Sequence, residues 1–229
     1  MSRFLATLLG TAAGSSRGMT AGEPGARRSW PEIHAVARRA AGTLRAAGVG
    51  RGSAVGVLAG APGEIAPAVQ AVWLVGGSVT MLHQPTARTD LEAWAEETVG
   101  VLRMVGARLV LLGAPFDGLA PVLGGHGIAY RMLGDLDRGD PDGDPFEPAA
   151  DAADEDDTAL LQLTSGSTAE PKAVRITHRN LHSNIGAMVQ AARPSRLAPA
   201  RNRVAISSKT WRGLMSMMRW TASRRSAST

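Results

Sequence analysis

The sequence predicts an α/β fold on a mostly parallel sheet, and two observations carry that expectation. From Ser29 to Leu133, helical apolar stripes alternate with short apolar runs at the spacing of βαβ units. Aromatic residues are only 4% of a chain that is 44% hydrophobic, so Ala, Val and Leu must fill the interior. Such side chains suit helices packed on buried parallel strands better than an aromatic-rich sandwich.

Each element has a local reason. Ser29-Trp30-Pro31-Glu32 reads as a capping box with Pro in the first turn, where amides have no intrahelical partner. Ile33, Val36, Ala37, Ala40, Ala41 and Leu44 then form one helical stripe, and Gly48 ends it. Ala54 to Ala59 fits a buried strand, Glu64 to Leu74 a helix and Ser78 to Leu82 a second strand. Thr89-Asp90-Leu91-Glu92 reads as another capping box, opening a helix with Leu91, Trp94, Ala95, Thr98 and Leu102 on one face. Arg108–Leu112 and Ile128–Leu133 predict strands on either side of a poor helix from Ala114 to Leu123. Thr158–Leu163 and Val174–Ile176 predict two more strands. Thr177 should cap a helix from His178 to about Gln190 that buries Leu181, Ile185 and Met188.

Between the last two groups, residues 135–157 hold eleven acids and three prolines with little that is apolar except Phe146, the composition of a solvated linker. Asp140, Asp142 and Asp144 alternate as in a calcium loop, but Pro145 and Asp151 occupy the places where that loop needs Gly and Glu. No metal site is therefore expected there.

The 229 residues can bury one good-sized core. The chain lacks cysteine, which removes disulfides and thiolate metal sites and agrees with a cytoplasmic location. No apolar run reaches the roughly 18 residues that a membrane span needs. Met1 to Gly14 is read as a first helix docked on the domain rather than as a signal peptide, because its apolar run is short and a single Arg precedes it. The net charge of +5 hides two regions: residues 1–190 carry −4, and residues 191–229 carry +9 with no acid at all.

The chemistry points to Thr164-Ser165-Gly166-Ser167-Thr168-Ala169-Glu170-Pro171-Lys172, which follows a buried strand. The hydroxyls of Thr164, Ser165, Ser167 and Thr168 can donate to phosphate oxygens. Gly166 allows the backbone to turn and approach an anion, Pro171 stiffens the exit, and Lys172 supplies a full positive charge. The order is not that of a Walker A loop, since Pro precedes the Lys and no hydroxyl follows it. On composition alone a polar surface turn remains an alternative.

The order of these residues closely resembles the phosphate-binding signature T-S-G-[ST]-T-G-x-P-K-G of the adenylate-forming superfamily, which includes acyl-CoA synthetases, fatty acyl-AMP ligases and peptide-synthetase adenylation domains. Ala169 and Ala173 stand where that pattern has Gly. Residues Met81 to Leu91 resemble a stretch of mycobacterial-type fatty-acid ligases, and Ile176 to Leu181 resemble the H-x-N-L that follows the loop. The resemblance covers residues 1–190 and implies an incomplete AMP-binding N-terminal domain. It also implies ATP with Mg²⁺ as cofactor, a fatty acid as substrate, and coenzyme A or a carrier-protein phosphopantetheine as acceptor. Thr164, Ser165, Gly166, Ser167, Thr168 and Lys172 would grip the β- and γ-phosphates, with no catalytic side chain and no metal ligand assigned to this chain.

Other candidates weigh less. His178 and His182 share a helical face, but no third ligand accompanies them, so a surface or packing pair is expected. His34 is expected at the surface. His83 follows a strand end, where parallel sheets place ligand groups. Glu64, Glu92 and Asp117 show no telling spacing, and no G-x-S-x-G elbow exists. The basic segment 191–229, with eight Arg, one Lys, two Trp and three Met, is expected to be a low-order tail. Its composition matches out-of-frame translation of a GC-rich gene better than an arm for nucleic acid. The family's later motifs do not appear, so an isolated ligase fragment without activity is expected. The alternatives are a non-catalytic nucleotide- or acyl-binding remnant and a basic-tailed interaction protein.

Overall fold

The computed structural model describes residues 1–22, 25–136, 146–164 and 172–192. The central sheet has six strands in the order β6-β5-β3-β4-β7-β8. These are β3 (Ala54–Leu58), β4 (Ser78–Met81), β5 (Ala107–Leu112), β6 (Tyr130–Met132), β7 (Thr158–Thr164) and β8 (Lys172–Thr177). All neighbours run parallel except β7 and β8, which form an antiparallel hairpin at one edge. The expected α/β class with a mostly parallel sheet is what the structure has.

Alternation along the strands divides the interior into two layers. Val55, Val57, Val79, Leu109 and Leu111 face one layer, built by α1 (Arg3–Gly14), α2 (Trp30–Ala46), α3 (Pro62–Leu74) and α7 (His178–Ala191). Leu58, Val110 and Leu112 face the other, built by α4 (Leu91–Met104) and the short α5 (Ala120–Gly125). Helices on both faces keep the parallel strands dry, which is why their sequences read as continuous apolar runs.

The Ser29 capping box forms as its sequence demands: the Ser29 hydroxyl accepts from Glu32 N while Glu32 Oε2 accepts from Ser29 N at 2.6 Å. The cap of α4 differs from expectation. Asp90, not Thr89, caps it by accepting from Glu92 N and Ala93 N, both at 3.0 Å. Thr89 instead bonds Thr86 across the preceding turn. A carboxylate one residue nearer the helix reaches two orphan amides, so it takes the cap. With the helix beginning at Leu91, that side chain lies outside the packed face and is 64% exposed.

A further hairpin of β1 (Gly18–Ala21) and β2 (Ala26–Ser29) has no alternating pattern in the sequence and was not expected from it. His34 is a second correction. It is buried, 8% exposed, with Nδ1 3.3 Å from Gln70 Oε1 between α2 and α3. The two polar groups satisfy each other, which lets both sit inside. In α7, Leu181 is buried as expected, whereas Ile185 and Met188 are only partly covered. Among the described residues no helix is long and apolar enough to cross a membrane.

Of the acid-rich segment, residues 137–145 lie outside the described residues, as do Asp140, Asp142 and Asp144 of the calcium-loop reading. Its C-terminal part is anchored. Phe146 and Ala152 pack on the core and Ala153 is fully buried. Its carboxylates meet arginines from distant parts of the chain: Asp157 accepts from Arg51 at 2.8 Å, Asp156 from Arg179 at 3.0 Å and Glu155 from Arg3 at 3.2 Å. Arg51 also pairs with Asp154. Hydrogen bonds from the Arg3 guanidinium and backbone hold Glu155 well below the usual carboxylate range, at about 2. Arg179 lowers Asp156 in the same way.

Candidate functional site

In parallel α/β sheets ligands gather at the carboxyl ends of the strands, beside the point where the chain reverses direction across the sheet. Here the chain steps from β3 to β4 and then returns to place β5 on the far side of β3. The reversal lies between the ends of β3 and β5. Beside it, Gln84 bridges the carboxyl ends of β4 and β3 by donating from Nε2 to Ala59 O at 2.7 Å. His83 is exposed at the same end, and its carbonyl accepts from Trp94 Nε1 at 3.0 Å. A shallow hollow beside it is lined by Leu82, His83, Trp94 and Leu163. The structure thus brings His83 next to the residue that precedes Thr164.

Thr164 and Lys172 face each other as the last register pair of the β7–β8 hairpin, and the Thr164 hydroxyl donates to Lys172 O at 3.4 Å. The neck of the hairpin lies at the carboxyl end of β7, the end that also carries His83. Lys172 is exposed, and among the described residues no carboxylate forms an ion pair with its ammonium. Ser165, Gly166, Ser167 and Thr168 lie outside the described residues. The antiparallel turn-back that carries this segment was not foreseen in the sequence. Neighbouring strands separated by a loop this short can only be a hairpin, because a parallel return needs a crossover of a dozen residues or more.

The root of the hairpin is tied down more firmly than its sequence suggests. His178, the first residue of α7, is completely buried, with Nδ1 2.9 Å from Ser2 Oγ. Its amide donates to Asp157 O at 3.1 Å, and Arg175 Nε donates to the Thr158 hydroxyl at 2.6 Å. Phe4 meets the imidazole edge-on at 5.5 Å. Of the surface and packing alternatives expected for His178 and His182, His178 takes the packing one and points into the core. Among the described residues no group of three or more His, Asp or Glu could hold a metal ion. Sequence patterning could not find Ser2 as a partner, since 176 residues separate it from His178.

Burial lowers the His178 imidazole from its ordinary value of 6.5, against a smaller upward pull from Asp157 and Glu155. The unfolded chain then binds a proton more readily than the folded one. Stability from this group is complete above about pH 6.5 and is lost as pH falls toward the lower folded-state value. The carboxylates titrate elsewhere: Glu155 contributes stability above its ordinary value of 4.5 and loses it only as pH falls toward about 2. Denaturant midpoints followed across this range should show an upper acid step that His178→Asn removes. Its persistence in the variant would assign the step to another group.

A six-stranded α/β sheet bearing this hairpin at its edge is the architecture of the N-terminal domain of adenylate-forming enzymes. The model of the AMP-binding enzyme family matches residues 11–210, and the chain belongs to that family. It is 50% identical over 194 residues to the Mycobacterium tuberculosis protein named "Putative ligase Rv1013", covering 84% of this chain and 35% of that protein. The chain thus spans about a third of that relative's length. Among solved structures it is similar to McyG A-PCP complexed with phenylalanyl-adenylate, with a TM-score of 0.70 and 25% identity over 83% of this chain and 31% of that one. It also shares its fold with a Mycobacterium tuberculosis fatty acyl CoA synthetase, with a TM-score of 0.65 and 20% identity over 82% of this chain and 37% of that one.

Proposed function

We propose that this chain is the nucleotide-phosphate-binding portion of an ATP-dependent acid–thiol ligase that activates a fatty acid as its acyl-adenylate. The supporting observation is the hairpin, whose neck sets Thr164 against Lys172 at the carboxyl end of the sheet, joined by a segment rich in hydroxyl donors. In this reading Thr164, Ser165, Gly166, Ser167, Thr168 and Lys172 hold the β- and γ-phosphates. Their hydrogen bonds and the Lys172 charge offset the negative charge that collects on pyrophosphate as it leaves, an electrostatic rather than nucleophilic role.

Magnesium would be carried in with ATP, held by its phosphates. When bound, it neutralises phosphate charge. The substrate carboxylate attacks the α-phosphorus, the bond to the β-phosphate oxygen breaks, and pyrophosphate departs. The sulfur of a coenzyme A or carrier-protein phosphopantetheine thiol, losing its proton, then attacks the acyl carbon, the bond from that carbon to the phosphate oxygen breaks, and AMP leaves as the thioester forms. A fatty acid is favoured over an amino acid by the Met81–Leu91 stretch, which resembles that of fatty-acid ligases.

Titration calorimetry with Mg-ATP tests the reading. The 229-residue chain should bind ATP, and Lys172→Ala should weaken binding by roughly tenfold to a hundredfold, the loss of one charge-assisted contact of about 1.5–3 kcal/mol. Equal affinity in the variant would remove Lys172 from the site. We expect the chain alone to give no ATP–pyrophosphate exchange with any fatty acid. Exchange above buffer would show that the remaining two thirds of the relatives' length are dispensable.

A further inference from the structure

We propose that Ser2 and His178 form a latch that ties the docking of α1 to the geometry of the hairpin carrying Thr164 and Lys172, with the neutral imidazole as its closed form. The consequence for ATP rests on the phosphate-binding reading above; the latch itself does not. His178 is a positioning residue in this account, since it touches neither the hairpin tip nor the crevice.

The geometry places the first turn of α1 across both arms of the hairpin root. Ser2 N donates to Ala153 O at 2.7 Å, on the segment that leads into β7. Ser2 Oγ meets His178 at 2.9 Å, on the residue that follows β8. Arg3 adds a backbone and a guanidinium bond to Glu155. The two arms are joined to each other by the His178 amide on Asp157 O. One small helix turn thus clamps the point where β7 starts and β8 ends. Thr164 and Lys172 lie at the opposite end, about 20 Å away at the usual rise of a strand. A small splay at the root therefore becomes a larger displacement at the tip.

The hydrogen-bond inventory sets the protonation state. Ser2 Oγ already accepts from Leu5 N at 3.2 Å as the cap of α1, which leaves its proton to donate. In the closed form we propose, His178 Nδ1 is the acceptor and the ring proton sits on Nε2, which is buried and without a partner among the described residues. A second proton on Nδ1 removes that acceptor: the Ser2 hydroxyl must turn to accept from the ring, and its own proton loses its partner. It also places a charge against Phe4, whose ring packs on Trp73 of α3 at 5.0 Å, and near Leu181. The charged groups around it are engaged elsewhere. Asp157 is held by Arg51, Glu155 by Arg3, and on its own helix Arg179 is held by Asp156. Among the described residues the nearby carboxylates are already held by arginines and pull on the ring less than burial costs it, so the closed latch opens when an imidazolium forms.

Hydrogen–deuterium exchange on the full chain, corrected for intrinsic rates, reads the latch without nucleotide. In the wild type, peptides covering α1 and β8 should both exchange roughly tenfold faster at about pH 5.5 than at about pH 7.5. His178→Asn keeps an acceptor near the Nδ1 position that does not titrate, so its two segments should stay protected at both pH values. Ser2→Gly removes the hydroxyl yet retains most of the capping preference, and should raise exchange of both segments at either pH. It also serves if His178→Asn folds poorly. An acid response unchanged in His178→Asn, or unaltered protection of α1 in Ser2→Gly, would overturn the latch. Release of α1 with β8 still protected would overturn the coupling. Calorimetry with Mg-ATP is a separate arm: absence of binding by every form would count against the phosphate-binding reading, while the exchange results still decide the latch.

Discussion

Trp73→Ala should lower the unfolding free energy by about 3–5 kcal/mol, the range for removing a large aromatic from a packed core. Trp73 is 3% exposed on α3 and joins three elements. Its ring meets Phe4 of α1 edge-on at 5.0 Å, and its Nε1 donates to Ala159 O on β7 at 2.9 Å. Alanine leaves a cavity between α1 and the sheet and also leaves the indole's acceptor on β7 with one partner fewer. For a domain with ordinary marginal stability that is a large fraction of the total. Urea denaturation followed by circular dichroism measures it; a loss under about 1 kcal/mol would mean that the site collapses to fill the space. Trp73→Phe should recover part of the loss, since it restores most of the apolar volume and not the hydrogen bond.

The second large effect is expected at Gly76, which follows α3. Its φ is +80°, and a Cβ there would lie 2.2 Å from Ala152 O and 3.1 Å from the Arg51 Cα. Two costs combine in Gly76→Ala. The left-handed conformation alone costs an L-residue roughly 1–2 kcal/mol. The backbone clash adds to this, because a peptide carbonyl cannot swing aside as a side-chain end can. Relief requires the segment through Ala152 to move, and the neighbouring Ala153 O is the acceptor for Ser2 N. Gly127→Ala is the matched control: φ is +68° there, but the added carbon meets nothing within 4 Å. Thermal unfolding should show Gly76→Ala below Gly127→Ala by a clear margin. Equal losses would mean that only the φ cost operates and that the 149–153 segment yields freely.

Much of the architecture follows from local chemistry. The α2 helix was legible because Ser29 and Glu32 satisfy each other's amides within four residues, and because its stripe from Ile33 to Leu44 repeats at the helical period. Strands β3 and β5 were legible because burial on both faces demands uninterrupted apolar runs. The order of residues from Thr164 to Lys172 pointed to the AMP-binding enzyme family, to which the chain belongs. Local competition still misled at α4, where Thr89 and Asp90 both qualify as caps and only the backbone path shows which one reaches the amides.

What the sequence determined by itself was therefore most of the element types, the α/β class and the family. The tertiary structure decided the strand order, the antiparallel hairpin that presents Thr164 and Lys172, and the partners of the polar residues. Pairing across 176 residues between Ser2 and His178, or across 36 between His34 and Gln70, leaves no periodic trace. The same holds for the arginines that meet the acid-rich segment: composition alone reads a run of carboxylates as solvated, yet Arg3 of α1, Arg179 of α7 and Arg51 of the turn before β3 converge on it. Periodicity records which face of an element is buried. Which neighbour covers that face depends on chain closure over long distances, and only the folded molecule shows it.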